Sequence, residues 1–211
     1  MKPRRVLLVV SISFITFAAA GVRLPDCGGV IGIVSGSAGN GAAAAQAASN
    51  PSASARAFVK ASQVLLHPRC VNCHPAGEQP LQGDESRPHA MNVRRGVAGL
   101  GNNGLWCSTC HQDKNLPEAH MPPGAPGWQL PPEDMPMAFE KKTPRELCLQ
   151  LKDPARNGGR SPEEVLEHVE TGAVVLWGWN PGEGRTPPPM SHAEFVKNMT
   201  DWVRNGAACP E

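Results

Sequence analysis

The sequence predicts a mainly α-helical fold with long irregular loops, on the basis of three observations. Helix-start signals of the capping-box type occur at Thr143, Ser161 and Ser191, each followed three residues later by Glu. The last signal opens a segment with one apolar face, made by Phe195, Val196, Met199, Trp202 and Val203. Elsewhere, Pro and Gly, 22 of each in 211 residues, interrupt the chain too often for long helices.

The remaining elements follow from local patterns. Apolar residues at helical spacing predict a first helix from about Ala55 to Leu66. Residues 75–142 contain few periodic segments, so something other than regular structure must organise them. Gly172 and Gly206 suit the left-handed residue that closes a helix. The short apolar run 173–177 is the one strand signal.

The N-terminus has the features of an export signal. A basic start precedes an apolar segment that ends in Ala18-Ala19-Ala20, a small-residue cleavage pattern. The chain is therefore interpreted as three segments: a signal peptide or membrane anchor at 1–20, a flexible Gly/Ala/Ser-rich linker at 21–54 and a folded domain at 55–210. This organisation predicts a periplasmic or otherwise extracytoplasmic protein, anchored to the membrane if the N-terminus stays uncleaved.

Two copies of Cys-x-x-Cys-His carry the functional information, at residues 70–74 and 107–111. This motif is the attachment signature of c-type haem: the thiols bond to the haem vinyl groups and the His becomes the proximal iron ligand. The sequence therefore predicts cytochrome-c-like helices packed around two covalently bound haems. The residues assigned to attachment are Cys70, Cys73, Cys107 and Cys110, and the proximal ligands are His74 and His111.

The alternative for two Cys-x-x-Cys pairs is a four-thiolate zinc ribbon. Three features favour haem: a His follows each motif without a gap, the N-terminus has export features, and the intervening segment is long and irregular. Two haems would also supply apolar surface to a chain that has no tyrosine.

Each iron then needs a sixth ligand or keeps an open position. The predicted distal ligands are His89, which stands in a loop between the motifs, and His168, which is expected to point inward from an apolar helix face. His67, just before the first motif, stays an alternative. So does the His120-Met121 pair, which resembles the Met-Pro loop of single-haem cytochromes c, and a Met ligand would raise the reduction potential.

Two further cysteines, Cys148 and Cys209, lie outside the haem motifs. An oxidising compartment favours a disulfide between them, and two separate buried thiols are the alternative. The net charge of +1 shows no basic stripe, which argues against nucleic acid as the main partner.

Seven stretches between residues 66 and 210 carry a family resemblance: HPRCVNCHPAGEQPLQGD, PHAMNVRRG, CSTCHQDKN, PPGAPGWQLPP, LCLQLKDPARNGGR, WGWNPGEGR and GAACP. They resemble bacterial dihaem cytochromes c, and more closely a family of small exported proteins labelled isoquinoline 1-oxidoreductase subunit. The resemblance extends to the positions of His67, His89, His168, Cys148 and Cys209. It implies an electron-accepting partner of a molybdenum hydroxylase, and it includes no counterpart of His120.

These observations together predict an exported dihaem c-type cytochrome. It would transfer electrons between a periplasmic or membrane redox partner, such as a molybdenum oxidoreductase, and an acceptor. A peroxidase-like dihaem enzyme with one open iron is the alternative, with carboxylates such as Glu118 as acid–base groups. A haem subunit of a larger oxidoreductase is a third interpretation.

Overall fold

The structure, a computed structural model, describes residues 49–211. Within this range it is mainly helical, with helices α1 Pro51–Leu65, α2 Pro68–Val71, α3 Pro144–Lys152, α4 Pro162–Thr171, α5 Ala173–Trp177 and α6 His192–Arg204. Two antiparallel ladders of two-residue strands complete it: β1 Leu81–Gln82 with β2 Arg87–Pro88, and β3 Gly101–Asn102 with β4 Leu105–Trp106. The described helices include none long and apolar enough to cross a bilayer. The predicted signal or anchor, and the linker up to residue 48, lie outside the described residues.

The first helix begins at Pro51, earlier than the predicted start near Ala55. The side chain of Asn50 accepts a hydrogen bond from the backbone N–H of Ala53, and Pro51 occupies the first turn, where its missing N–H is not needed. The last four residues of the predicted linker, 51–54, therefore belong to the helix.

All three predicted capping boxes are present, at the starts of α3, α4 and α6. Gly206 adopts the expected left-handed conformation, with φ of 95°. Gly172 does not: its φ is −63°, because the chain turns directly from α4 into the next helix. The prediction of a strand at 173–177 was wrong, since this segment forms helix α5. A run of five apolar residues without a partner strand has no ladder to join, and tertiary context overrides its β propensity.

The core lies mainly between α1 and α6, which pack against each other along their lengths. Phe58 of α1 meets Trp202 of α6 with ring centroids 5.1 Å apart, and both side chains are fully buried. Ser54 connects the same elements, because its hydroxyl donates to the Trp202 carbonyl at 2.7 Å and accepts from the Ala208 N–H at 2.9 Å. These two helices form a platform on which α3 and α4 pack.

The predicted disulfide between Cys148 and Cys209 is confirmed. It joins the buried face of α3 to the tail that follows α6, with the two Cα atoms 5.6 Å apart, within the usual range for such a bond. The four cysteines of the two motifs remain free thiols.

Between α2 and α3 the chain contains only two-residue strands, single 3₁₀ turns and irregular segments, in agreement with the prediction of little periodic structure. Part of this region is organised by Arg95, which is completely buried. Its guanidinium donates to the carbonyls of Gly77 at 3.0 Å and Pro131 at 2.7 Å, and its backbone N–H donates to the carbonyl of Glu78. One side chain therefore draws together loop segments that are more than 50 residues apart in sequence.

Candidate functional site

A cleft of about 460 Å³ lies beside the second Cys-x-x-Cys-His motif. This volume falls within the usual range for cofactor sites, about 300–1,000 Å³. Cys107, Cys110, His111 and His89 line it, together with Cys73 of the first motif. The structure therefore gathers five of the eight predicted site residues around one space.

The second motif is positioned by the β3–β4 hairpin, which leads straight into a single helical turn at Cys107–Thr109. In this turn the N–H groups of Cys110 and His111 both donate to the Cys107 carbonyl, at 3.2 and 2.9 Å. Residues three apart in a helical turn lie on the same side. Both thiols are therefore held on the side of the turn that faces the cleft.

The first motif repeats this geometry at the end of α2. The N–H groups of Cys73 and His74 both donate to the Cys70 carbonyl at 3.1 Å. Burial raises the pKa of Cys70 to about 12 and that of Cys73 to about 11. The charge of Cys107 adds to the rise for Cys73, so the first motif adjoins the second.

Both predicted proximal histidines make the same hydrogen bond. Nδ1 of His74 lies 2.8 Å from the Met137 carbonyl, and Nδ1 of His111 lies 2.7 Å from the Pro123 carbonyl. A carbonyl only accepts, so Nδ1 carries the proton and Nε2 keeps its lone pair for a metal. Burial lowers the pKa of both rings, to about 4 for His74, which keeps them neutral.

An aromatic ring lies parallel to each of these histidines. Phe139 stacks on His74 with centroids 3.9 Å apart, and Trp128 stacks on His111 at 4.6 Å. Trp128 in turn meets the edge of Trp177 at 4.9 Å, and both tryptophans line the cleft. The stacked rings restrict how each imidazole can turn about its own axis.

His89 faces His111 across the cleft, with ring centroids 6.1 Å apart and planes at 62°. Nδ1 of His89 lies 2.8 Å from the Ala90 carbonyl, so this ring also keeps its lone pair on Nε2. Two imidazoles that bind one metal from opposite sides have centroids about 6.2 Å apart, since each metal–nitrogen bond is about 2.0 Å and each nitrogen lies about 1.1 Å from its ring centre. The observed ring separation is close to this value.

His168 is placed differently from its prediction. Val165 and Val169 of α4 are buried, but His168 lies at the edge of that apolar face and is exposed. Partial desolvation still lowers the pKa of the ring below its usual value. A charged His168 also lowers the pKa of His74, so the two rings lie within electrostatic range of each other.

The alternative ligands differ in their hydrogen bonds. Nδ1 of His67 accepts from the Arg69 N–H at 3.3 Å to cap α2, which leaves the proton of the neutral ring on Nε2. His67 is therefore in the wrong tautomer to bind iron through Nε2. His120 is exposed and lines the cleft, whereas Met121 is exposed and does not line it.

The zinc-ribbon alternative requires four thiolates around one point. Between residues 49 and 211, no group of three or more His, Cys, Asp or Glu side chains is arranged to hold a metal ion. The cleft is instead lined by both thiols and the His of the second motif, with Cys73 alone from the first.

Sequence reasoning did not identify five residues of this site, and four of them had no signal in the sequence: Asp84, Trp128, Phe139 and Arg185. Trp128 and Phe139 follow their histidines by 17 and 65 residues, and no periodic pattern connects them. Arg69 is the exception, since it directly precedes Cys70. Its buried guanidinium pairs with Asp84 and lies 5.9 Å from the centre of the Trp177 ring.

Comparison with known proteins adds no relative. No family model, no curated protein and no solved structure matches this chain. The assignment of the site therefore depends on the two motifs and on the geometry of the residues around them.

Proposed function

We propose that this chain is an exported dihaem c-type cytochrome that transfers electrons between a redox partner protein and an acceptor. Cys107 and Cys110 would attach one haem and Cys70 and Cys73 the other. Haem iron supplies reversible one-electron oxidation and reduction. The chain's own residues attach the group, supply its axial ligands and exclude water.

The observation that carries the proposal is the pair His89 and His111. Their Nε2 lone pairs are free, and their rings stand 6.1 Å apart in a cleft that two thiols also line. A zinc ribbon or a redox dithiol requires no such pair of opposed histidines. We therefore assign His89 as the distal partner of His111.

For the first motif, His168 is the proposed partner of His74. Of the two predicted distal histidines, His168 is the one whose charge lowers the pKa of His74. The charge of His89 lowers the pKa of His111. We therefore propose a different distal partner for each motif, where the sequence alone allowed His89 to serve either iron.

The surroundings of the two proximal histidines suit electron transfer. Carbonyl groups fix Nδ1, and stacked aromatic rings limit rotation, so each imidazole changes little between oxidation states. Two histidine ligands on each iron would leave no open position for a substrate. This arrangement favours a carrier over an enzyme and predicts lower potentials than a Met ligand would give.

Cys73 and Cys107 line the same cleft, which supports electron exchange between the two haems within one chain. The external donor or acceptor follows only from the family resemblance, which implies a molybdenum oxidoreductase as one candidate. Export likewise follows from the N-terminal sequence pattern and from the need to attach haem outside the cytoplasm.

The test is a pyridine haemochrome assay on protein exported from a host with haem-attachment machinery. We expect two covalent haems per chain in the wild type. The double variants Cys70→Ser/Cys73→Ser and Cys107→Ser/Cys110→Ser should each retain one. Matched controls are Ser108→Ala and Thr109→Ala, which lie inside the second motif and should leave two haems in place.

Absence of covalent haem, with zinc bound instead, would refute the proposal. The peroxidase-like alternative is favoured only at the first motif, because His168 is exposed and less firmly placed than His89. Rapid stoichiometric binding of cyanide to one oxidised haem of the wild type would support that enzyme. Inert haems would support the carrier.

A further inference from the structure

Charged side chains line one part of the cleft, and their positive charges outnumber their negative charges. Three arginines, Arg69, Arg87 and Arg185, are accompanied by two carboxylates, Asp84 and Glu85. The excess positive charge faces a space that is otherwise mostly apolar and aromatic, where an unpaired charge is costly.

Asp84 is already occupied by partners within the chain. One of its oxygens forms an ion pair with the buried Arg69. The other accepts from the hydroxyl of Thr186 at 2.7 Å and from its backbone N–H at 3.1 Å. These bonds, the Thr186 hydroxyl first, hold the pKa of Asp84 below its usual value, so it stays charged and committed to them.

Arg185 lacks such a carboxylate. Its guanidinium donates to the carbonyls of Pro181 and Met121, which orient it without neutralising its charge. Among the ion pairs of residues 49–211, none includes Arg185. Burial and the nearby charge of Arg69 lower the pKa of Arg185, the charge of Asp84 raises it, and Arg185 in turn lowers the pKa of His111. The charge of Arg185 therefore lies close to the second motif, and the nearby carboxylate of Asp84 is already bonded to Arg69 and Thr186.

We propose that Arg185 binds a propionate carboxylate of the haem attached at Cys107 and Cys110. The inference rests on the proposed function, since it needs a haem in this cleft. The propionates are the only charged groups on the rim of a haem, and a guanidinium matches a carboxylate with two parallel hydrogen bonds. Asp84 and Arg69 take a supporting part: they fix the segment around Thr186, which carries the adjacent Arg185.

The proposal is tested by the redox properties of Arg185→Gln, after the haemochrome assay has shown two haems in the variant. Removal of the cation should lower one of the two midpoint potentials, because the oxidised iron is then less disfavoured. The freed propionate should also titrate in the range of about pH 5 to 8, so the same potential becomes pH-dependent. The potential of the other haem should not change.

Two control variants isolate the local effect. Arg204→Gln removes the same charge from an exposed position at the end of α6 and should leave both potentials unchanged. Arg185→Lys keeps the charge but loses the planar fork, and it should restore most of the wild-type potential at neutral pH. Unchanged potentials and pH profiles in Arg185→Gln, with both haems attached, would overturn the proposal.

A measurement on the wild type keeps the proposal testable even if the Arg185→Gln variant fails to fold. Redox-difference infrared spectra with haem labelled by ¹³C at its propionates should show a labelled carboxylate that stays ionised on acidification, because the guanidinium holds it charged. If every labelled carboxylate titrates like a solvent-exposed one, Arg185 does not bind a propionate. The haem count decides the proposed function separately, so the failure of one claim is distinguishable from the failure of the other.

Discussion

At the residue scale, hydrogen bonds at Nδ1 separate the histidines that suit metal binding from those that do not. His74, His89 and His111 each place Nδ1 against a carbonyl and keep Nε2 free. His67 accepts an N–H at Nδ1, and His192 points Nε2 at the Val169 carbonyl. Sequence position does not reveal this distinction, because it depends on carbonyls that are up to 63 residues away.

The assignment of His89 is tested by its replacement with Ala. Loss of the distal imidazole should convert one of the two haems to a high-spin form that binds cyanide, while the other stays low-spin. Electron paramagnetic resonance and cyanide titration measure both effects. Matched variants are His67→Ala and His120→Ala, which should keep two low-spin haems. A high-spin haem in His120→Ala, with none in His89→Ala, would reassign the ligand.

At the element scale, short capped elements hold the motifs and longer helices hold the core. The two Cys-x-x-Cys-His motifs lie at the end of α2 and in one helical turn after β4, neither of which is stable alone. The helices α3, α4 and α6 start with reciprocal side-chain and backbone hydrogen bonds that the sequence predicts residue by residue. The buried faces of these helices then determine where the irregular segment can pack.

The capping box of α6 predicts a pH-dependent contribution to stability. The side-chain hydroxyl and then the backbone N–H of Ser191 lower the pKa of Glu194 from its usual value. Because the folded-state pKa is the lower one, this stabilisation is present above the unfolded-state pKa and is lost as pH falls through the folded-state value. We expect Glu194→Gln to be less stable than the wild type near neutral pH, with the difference shrinking on acidification.

Urea unfolding at several pH values measures this difference between the two proteins. Glu167→Gln, on the exposed side of α4, is a matched charge control that should show no comparable trend. A stability difference between wild type and Glu194→Gln that stays constant down to strongly acidic pH would contradict the role given to the carboxylate.

At the scale of the whole molecule, the disulfide and the cleft connect distant parts of the chain. The Cys148–Cys209 bond closes a loop with a sequence separation of 61 residues around α4, α5 and α6. The cleft brings α2, the two hairpins and the segment before α6 to one site. Neither connection is local, so both depend on the helical core being formed.

Removal of the disulfide should lower the free energy of unfolding by about 4 kcal/mol, the loop-entropy value for a separation of this size. The double variant Cys148→Ser/Cys209→Ser is compared with the wild type by denaturant unfolding, with both proteins carrying two haems. A loss well under about 1 kcal/mol would mean that the unfolded chain is already restrained, for example by the haems themselves.

With a haem attached to each motif, as proposed, residues of both motifs along one cleft predict that the two haems interact optically. Transition dipoles of chromophores held close together couple, so circular dichroism in the Soret band should show two lobes of opposite sign. The single-haem variants Cys70→Ser/Cys73→Ser and Cys107→Ser/Cys110→Ser should each show a single lobe. A wild-type spectrum equal to the sum of the two variant spectra would place the haems too far apart to couple.

Local patterns were enough to predict the starts of α3, α4 and α6 and to locate the two Cys-x-x-Cys-His motifs, and they favoured the Cys148–Cys209 disulfide that the structure contains. Each of these is a short pattern whose chemistry acts over a few residues or within one pair of thiols. The helical state of 173–177, the exposure of His168 and the position of Trp128 and Arg185 in the cleft became clear only from the folded structure. These features depend on contacts between segments that are distant in sequence, and no local period encodes such contacts.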